Sequence, residues 1–366
     1  LAASLIYGIS TNLIVSFVAG HVTKVVSIGY MAPAVGGVVL ALRRKRLIGS
    51  LMTLVFVGLM INGNHFQILY YFLLISIVVG IVYLIQAIKE KTLPDFAKAV
   101  GILALAAIGG LLPNTAKLYN AYEHSQETIR GGKSELSSKD AKDKGGLDRD
   151  YAMRWSYGPL ETMTLVVPSF MGGATSEPLP EGGNVEEALK SFQLNKQQKE
   201  GILAQGPMYV GDQPFLLGTV YLGAGFIFLF ILSIFLLNGP TRAWLLSIIV
   251  MSLVISWGRH FEMVTGFLFD YFPLYNKFRT PSMALAIAGL AIPLMGILGL
   301  HRILSGEVDK SELNKALKYA VYIAGGLMLL LFLYGLLNDW VGSKDASYQG
   351  KNSPWGIDAI YEALLA

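Results

Sequence analysis

The residues between Phe272 and Met283, FPLYNKFRTPSM, set Lys277 and Arg279 two positions apart just before an apolar run. An arginine fork matches paired phosphate oxygens, and a lysine adds a compact charge beside it. Thr280, Pro281 and Ser282 read as a helix start whose unpaired N–H groups also favour an anion. The pattern predicts that Arg279 and Lys277 bind a phosphate; simple anchoring to lipid headgroups is the plainer alternative.

Two carboxylates stand among aromatics, Glu161 after RWSYGPL and Asp212 within YVGDQP. Each could take a proton from a reacting hydroxyl or hold a cation. They are therefore second candidates for a catalytic base, and a divalent cation is the one cofactor they could recruit. Pairing of Glu161 with Arg154 is the structural alternative. His21, His65 and His260 lie at the edges of apolar runs and could ring a cavity, or merely cap helices. No histidine pair has the spacing of a helical metal site, so no metal site is expected. The turn Asn62–Gln67, NGNHFQ, joins two apolar runs; polar groups there must be paired, line water or cap helices through Asn62 and Asn64. The chain contains no cysteine, which excludes disulfides, thiolate metal sites and a cysteine nucleophile.

The scaffold that carries these residues follows from composition. Only 15% of the 366 residues are charged against 53% hydrophobic, where a soluble domain has about 25% charged. The charges are segregated into loops, which excludes a clustered nucleic-acid-binding face. A span needs about 20 apolar residues, and the sequence predicts an all-α polytopic membrane protein with about nine transmembrane helices. They fall near residues 2–17, 26–42, 47–62, 67–88, 98–112, 215–237, 243–257, 283–304 and 316–337. Residues 1–112 thus hold five spans, 113–214 a large mixed loop, 215–337 four more spans, and 338–366 the start of a further segment. Leu1, inside an apolar run, and the abrupt end at Ala366 suggest a chain cut from a longer one.

Orientation follows from lysine and arginine in short loops. Arg43–Arg46, Lys89–Lys98, Arg242 and Arg302–Lys318 hold twelve basic residues on one side, against Lys24, Arg259, Lys277 and Arg279 on the other. The first side is expected to be cytoplasmic and the 113–214 loop extracytoplasmic, in a bacterial inner membrane. Within that loop, Lys117–Arg130 reads as a helix continuing the fifth span, Ser134–Asp150 as a mobile charged stretch and Val185–Gln205 as one soluble helix.

The segments AGH at Ala19–His21 with Lys24, NHFQI at Asn64–Ile68, TIRG at Thr128–Gly131, WSYG at Trp155–Gly158, GDQPF at Gly211–Phe215 and NKFR at Asn276–Arg279 together resemble the bacterial YfhO family of membrane proteins. That family looks like the fold-C glycosyltransferases, and the resemblance covers most of the chain. It implies a fold-C glycosyltransferase-like bundle moving a sugar from a polyprenyl-phosphate donor to an envelope glycan or glycolipid acceptor on the outer face, with membrane lipids as surroundings. His21, His65 and Gln213 join Arg279 and Lys277 as substrate-binding candidates. The catalytic acid of such enzymes lies in the first outer loop, here expected upstream of Leu1. A transporter or flippase for a polar lipid or envelope precursor, or a non-catalytic assembly protein, are the competing functions; the scarcity of charge at span centres favours the transferase.

Overall fold

The computed structural model describes residues 7–131, 145–338 and 340. Among them there is no strand, only two isolated bridges, Gly172 with Tyr209 and Glu177 with Gly206. Eight apolar helices form the bundle: α2 (Val22–Leu42), α3 (Arg46–Asn62), α4 (Phe66–Lys89), α5 (Leu93–Leu111), α10 (Ala224–Leu236), α11 (Gly239–Ser256), α13 (Leu285–Leu304) and α14 (Lys310–Leu337). A short helix, α1 (Thr11–Val18), precedes them. Five smaller helices lie between: α6 (Thr115–Gln126), α7 (Arg149–Met153), α8 (Asn184–Lys190), α9 (Lys196–Ala204) and α12 (Glu262–Tyr271).

The distribution of apolar side chains identifies a membrane protein. On α4, Leu73, Ile77, Ile81, Ile85 and Ile88 form an exposed stripe at helical spacing, while Gln67, Tyr71, Ile75, Val79 and Tyr83 face inward. A helix in water would reverse that arrangement; hydrocarbon accepts it. Small residues then let backbones approach, as helix association in lipid requires. A Cβ added to Gly37 of α2 would sit 2.8 Å from the Gly49 carbonyl oxygen of α3. Ser252 shows local pairing of a polar group inside: from α11 it donates to the Ala284 carbonyl at 2.6 Å and accepts from the Ala288 N–H at 3.1 Å. The central helix is α13, whose segment from Pro281 is 72% buried over its apolar window.

Six segments are long and apolar enough to cross a membrane: Val22–Leu42, Phe66–Lys89, Leu93–Gln126, Gly239–Ser256, Pro281–Leu304 and Lys310–Leu337. Nine were expected. The three that fall short are α3 with 17 residues, α10 with 13 and α1 with 8. At 1.5 Å per residue α10 extends only about 20 Å. The apolar run before it, from residue 215, is not helical, because the chain turns at Gly223 with φ +97°. In place of a first span, α1 is seen at Thr11–Val18, and residues 1–6 lie outside the described part. The bundle still has two ends. One gathers the α2–α3 and α4–α5 turns with Asn238 and Thr241. The other gathers the α3–α4 turn, residues 145–223 and the segment before α13.

The long loop departs from expectation in two places. Val185–Gln205 is two helices, because Asn195 and Gln198 form a reciprocal cap that starts a second one. Residues 134–144 of the charged stretch lie outside the described part, but 145–150 are pinned. Leu147 is buried, Asp148 caps α7 through the Tyr151 N–H at 3.0 Å, and Arg149 pairs with Glu262 at 3.3 Å and Asp270 at 3.2 Å. The expected continuation of the fifth span is present as α6, joined through a 3-10 turn at Leu112–Asn114.

Candidate functional site: a cationic, aromatic-walled cluster at the bundle end

Three turns bring the charged side chains together. Gly20, at φ +75°, reverses the chain so that His21 opens α2, with Lys24 one helical turn further on the same side. Asn64, at φ +60°, does the same between α3 and α4 and leaves His65 at the start of α4. Neither Asn62 nor Asn64 caps α4; Asn62 instead accepts from the Lys117 ammonium through its carbonyl at 2.8 Å and its side chain at 2.9 Å. The third turn is the segment before α13, with Leu274 and Thr280 both in the left-handed region.

Residues 145–157 zip onto that third turn. The Leu147 N–H donates to Asn276 O at 2.9 Å and the Asn276 amide to Gly145 O at 2.9 Å. The Thr280 N–H donates to Ala152 O at 2.9 Å and the Ser282 N–H to Trp155 O at 3.1 Å. The N–H groups expected to attract an anion are therefore occupied, since an extended stretch of the loop takes them. Gly146 permits the approach: a Cβ there would lie 2.8 Å from the Asn276 amide nitrogen.

What remains for an anion is side-chain charge. The Arg279 guanidinium lies over the rings of Tyr151 at 5.4 Å and Trp155 at 5.8 Å and donates to the Tyr151 hydroxyl. Its carbonyl accepts from Gln67 Nε2 at 2.7 Å, which fixes the backbone to α4. Arg130 Nε donates to Lys277 O at 3.0 Å, and Lys277 Nζ donates to Arg130 O at 2.7 Å. Lys277 thus latches the long loop, while the Arg279 side chain stays exposed against the two rings.

The electrostatics show how crowded this cluster is. Burial, then Lys24, His21 and Arg130, hold the His65 imidazole down at about 4. His21 is lowered by burial and by Lys24 and Arg279, and Arg130 by burial and by Arg279. His65 Nδ1 is buried with no hydrogen-bond partner among the described residues. Repulsion thus links His21 to Lys24 and Arg279, His65 to Lys24, His21 and Arg130, and Arg130 to Arg279, and a bound anion among them would relieve it. A pH prediction follows. His65 is protonated near 6.5 when unfolded and near 4 when folded, so stability present above pH 6.5 is lost as pH falls towards 4. Thermal melts between pH 7 and 4 should show a loss of up to about 3 kcal/mol, and His65→Gln should flatten it. An unchanged slope in that variant would show that His65 is not the titrating group.

The carboxylate candidates form a second, separate network. Glu161 is 2% exposed and accepts from Tyr209 Oη at 2.6 Å, Gln213 Nε2 at 2.7 Å and the Gly158 N–H at 3.1 Å. Burial raises its pKa, against the lowering by those donors. Gln213, itself 1% exposed, therefore lies with Glu161 and not in the cationic cluster. Arg154 is exposed and makes no ion pair among the described residues. Asp212 stands 3.8 Å from His260 Nε2 and accepts through its carbonyl from Arg259 at 3.1 Å. So His21 and His65 lie in one cluster, whereas His260 stands beside Asp212 in the other. Among the described residues no three histidine, aspartate or glutamate side chains converge as a metal ion would need. The two networks adjoin through Trp155, whose ring meets that of Phe215 at 5.2 Å.

Fold and site together define a multi-pass α-helical membrane protein with a cluster of basic side chains at one end of its bundle. Comparison with protein-family models, curated proteins and solved structures finds no match.

Proposed function

We propose that this protein is a membrane glycosyltransferase of the fold-C kind, moving a sugar from a polyprenyl-phosphate carrier to a glycan or glycolipid acceptor of the bacterial cell envelope. The observation that supports this reading is the convergence of Lys24, His21, His65, Arg130 and Arg279 at the ends of membrane helices. A carrier phosphate sits at that depth, where its lipid tail remains in hydrocarbon. The acceptor hydroxyl attacks the anomeric carbon, the bond from that carbon to the carrier phosphate oxygen breaks, and its electron pair stays on the phosphate. Arg279 and its cationic neighbours stabilise the charge that develops there. The hydroxyl proton passes to a base, for which Asp212 and Glu161 are the carboxylate candidates.

The reading places the site on the outer face of the cytoplasmic membrane, with the arginine-rich turns inside and about nine crossings in all. The absence of cysteine makes the topology directly testable. In intact cells an impermeant maleimide should label the single substitution Glu181→Cys in the long loop, while Lys45→Cys in the α2–α3 turn should react only once the membrane is opened. Glu181→Cys is expected to react from outside. Labelling of Lys45→Cys from outside instead would remove the proposed orientation and the carrier with it. Function is tested by incubating the purified full chain with a polyprenyl-phosphate sugar: release of polyprenyl phosphate coupled to glycosylation of an added acceptor supports transfer, and lipid movement without bond cleavage supports a flippase.

A further inference from the structure

At the opposite end of the bundle lies a cavity of about 440 Å³ that plays no part in the proposed transfer. Four elements build it. The α2–α3 turn contributes Arg43, Arg44 and Arg46, with Arg44 held at φ +72°. The inner face of α4 contributes Tyr83, the first turn of α5 contributes Asp95, and the start of α11 contributes Asn238.

The charges do not balance within the wall. Asp95 pairs with Arg46 at 2.7 Å and with Arg44 at 3.5 Å, so one carboxylate serves two guanidiniums. Arg43 has no carboxylate partner among the described residues. Glu90, also in the wall and hydrogen-bonded by Gln86 at 2.7 Å, is a second carboxylate, so the three guanidiniums keep an excess of one positive charge. Uncompensated hydrogen-bonding capacity points the same way. Tyr83 is only 6% exposed, yet among the described residues its buried hydroxyl has no partner, and neither does the buried Nε of Arg46. A buried donor left unpaired costs about 1–3 kcal/mol, and native proteins leave few such groups without a water or an ion to satisfy them. Two such groups, on residues that line one cavity beside three guanidiniums, point to an acceptor-rich anion. The N-terminus of α11, whose Asn238 side chain makes no capping bond, adds N–H groups and a favourable dipole.

We infer that this cavity is a second binding site, for a phosphate-bearing anion, held by Arg43, Arg46 and the Tyr83 hydroxyl. Phosphate offers several acceptor oxygens to these donors and the negative charge that the arginines lack. The site lies at the end of α2 remote from His21 and stands or falls independently of sugar transfer. The same chemistry has two sources, the headgroup of an anionic membrane lipid and a phosphate in the adjoining water.

The test uses the full chain, purified in a neutral detergent, and two probes: inorganic phosphate and short-chain phosphatidic acid, with phosphatidylcholine of equal chain length as control. Tyr83→Phe removes one hydroxyl that has no protein partner, so the ligand-free melting temperature should hold while anion affinity falls about five- to tenfold. Arg43→Ala should lower it at least about tenfold. Repeating both in the Arg279→Ala background removes the contribution of the cluster at the other end. Binding of phosphatidic acid alone, weakened by both variants, identifies a lipid headgroup site. Binding of inorganic phosphate, weakened likewise, identifies a water-phase ligand. No binding of either probe, or equal binding by wild type and Tyr83→Phe, overturns the inference. Should Arg43→Ala not fold, Tyr83→Phe decides alone.

Discussion

Replacing Arg279 by alanine is expected to lower sugar transfer from a polyprenyl-phosphate donor by about 10²- to 10³-fold, the loss typical when a group that stabilises developing charge is removed. The protein should remain folded. The contact that ties this turn to α4 is made by the Arg279 carbonyl, which accepts from Gln67 at 2.7 Å and survives the substitution. What disappears is an exposed guanidinium stacked over Tyr151 and Trp155. Because charge on the phosphate grows as the glycosidic bond breaks, the loss should fall on kcat more than on KM. Arg279→Lys keeps the charge and loses the fork, and should recover about tenfold of the deficit. Lys277→Ala should behave differently. Its ammonium holds Arg130 O at 2.7 Å, so it acts through the position of the long loop and should raise KM with a smaller effect on kcat. Transfer by Arg279→Ala within about threefold of wild type would leave the phosphate site without its main residue, because charge stabilisation at the leaving group is worth far more than that.

The bundle was legible because hydrocarbon imposes length and composition on every crossing, and residues 67–88, 283–304 and 316–337 announce themselves by apolar runs alone. The ends were harder. Residues 215–223 are as apolar as a helix, but Pro214 precedes them and Gly223 turns the chain at their end, so the regular hydrogen bonding begins only at Ala224. Hydropathy cannot see that. Lys277, Arg279, His21 and His65 were legible as polar residues at span edges, where cost demands a reason. Arg130, Tyr151 and Trp155 were not singled out as site residues, since their nearness to Arg279 is a product of 145–157 zipping onto the turn before α13. The same docking explains why the N–H groups of Thr280 and Ser282 are occupied. Lys24 could have been found, for it follows His21 by three residues on one helix. Tyr83 could not: a phenol in an apolar run looks like any interfacial aromatic until its unpartnered hydroxyl is placed beside three arginines.

The second large effect concerns Glu161. Glu161→Ala should destabilise the protein by about 3 kcal/mol or more, because the Tyr209 hydroxyl, the Gln213 amide and the Gly158 N–H all lose their acceptor inside a dry network. Melting temperature and proteolysis between residues 156 and 214 measure it. Glu161→Gln separates the two roles a buried carboxyl can have. As a buttress, glutamine retains one carbonyl acceptor and the volume, so the protein should stay folded and active within about tenfold. The sign of the pH response gives a second readout. Burial raises the Glu161 pKa, so its protonated form contributes stability below the ordinary carboxylate range, and that contribution fades as pH rises through the raised value. Glu161→Gln cannot titrate and should remove this slope. It is opposite in sign to the slope from His65, whose contribution is lost as pH falls, so the two groups can be told apart in one series of melts. If Glu161→Gln instead stays folded with an unchanged melt and loses transfer by about 10³-fold, the carboxyl is the base that accepts the hydroxyl proton. A network closed by Tyr209 and Gln213 would then have to open during turnover, since at 2% exposure no acceptor hydroxyl reaches it as it stands.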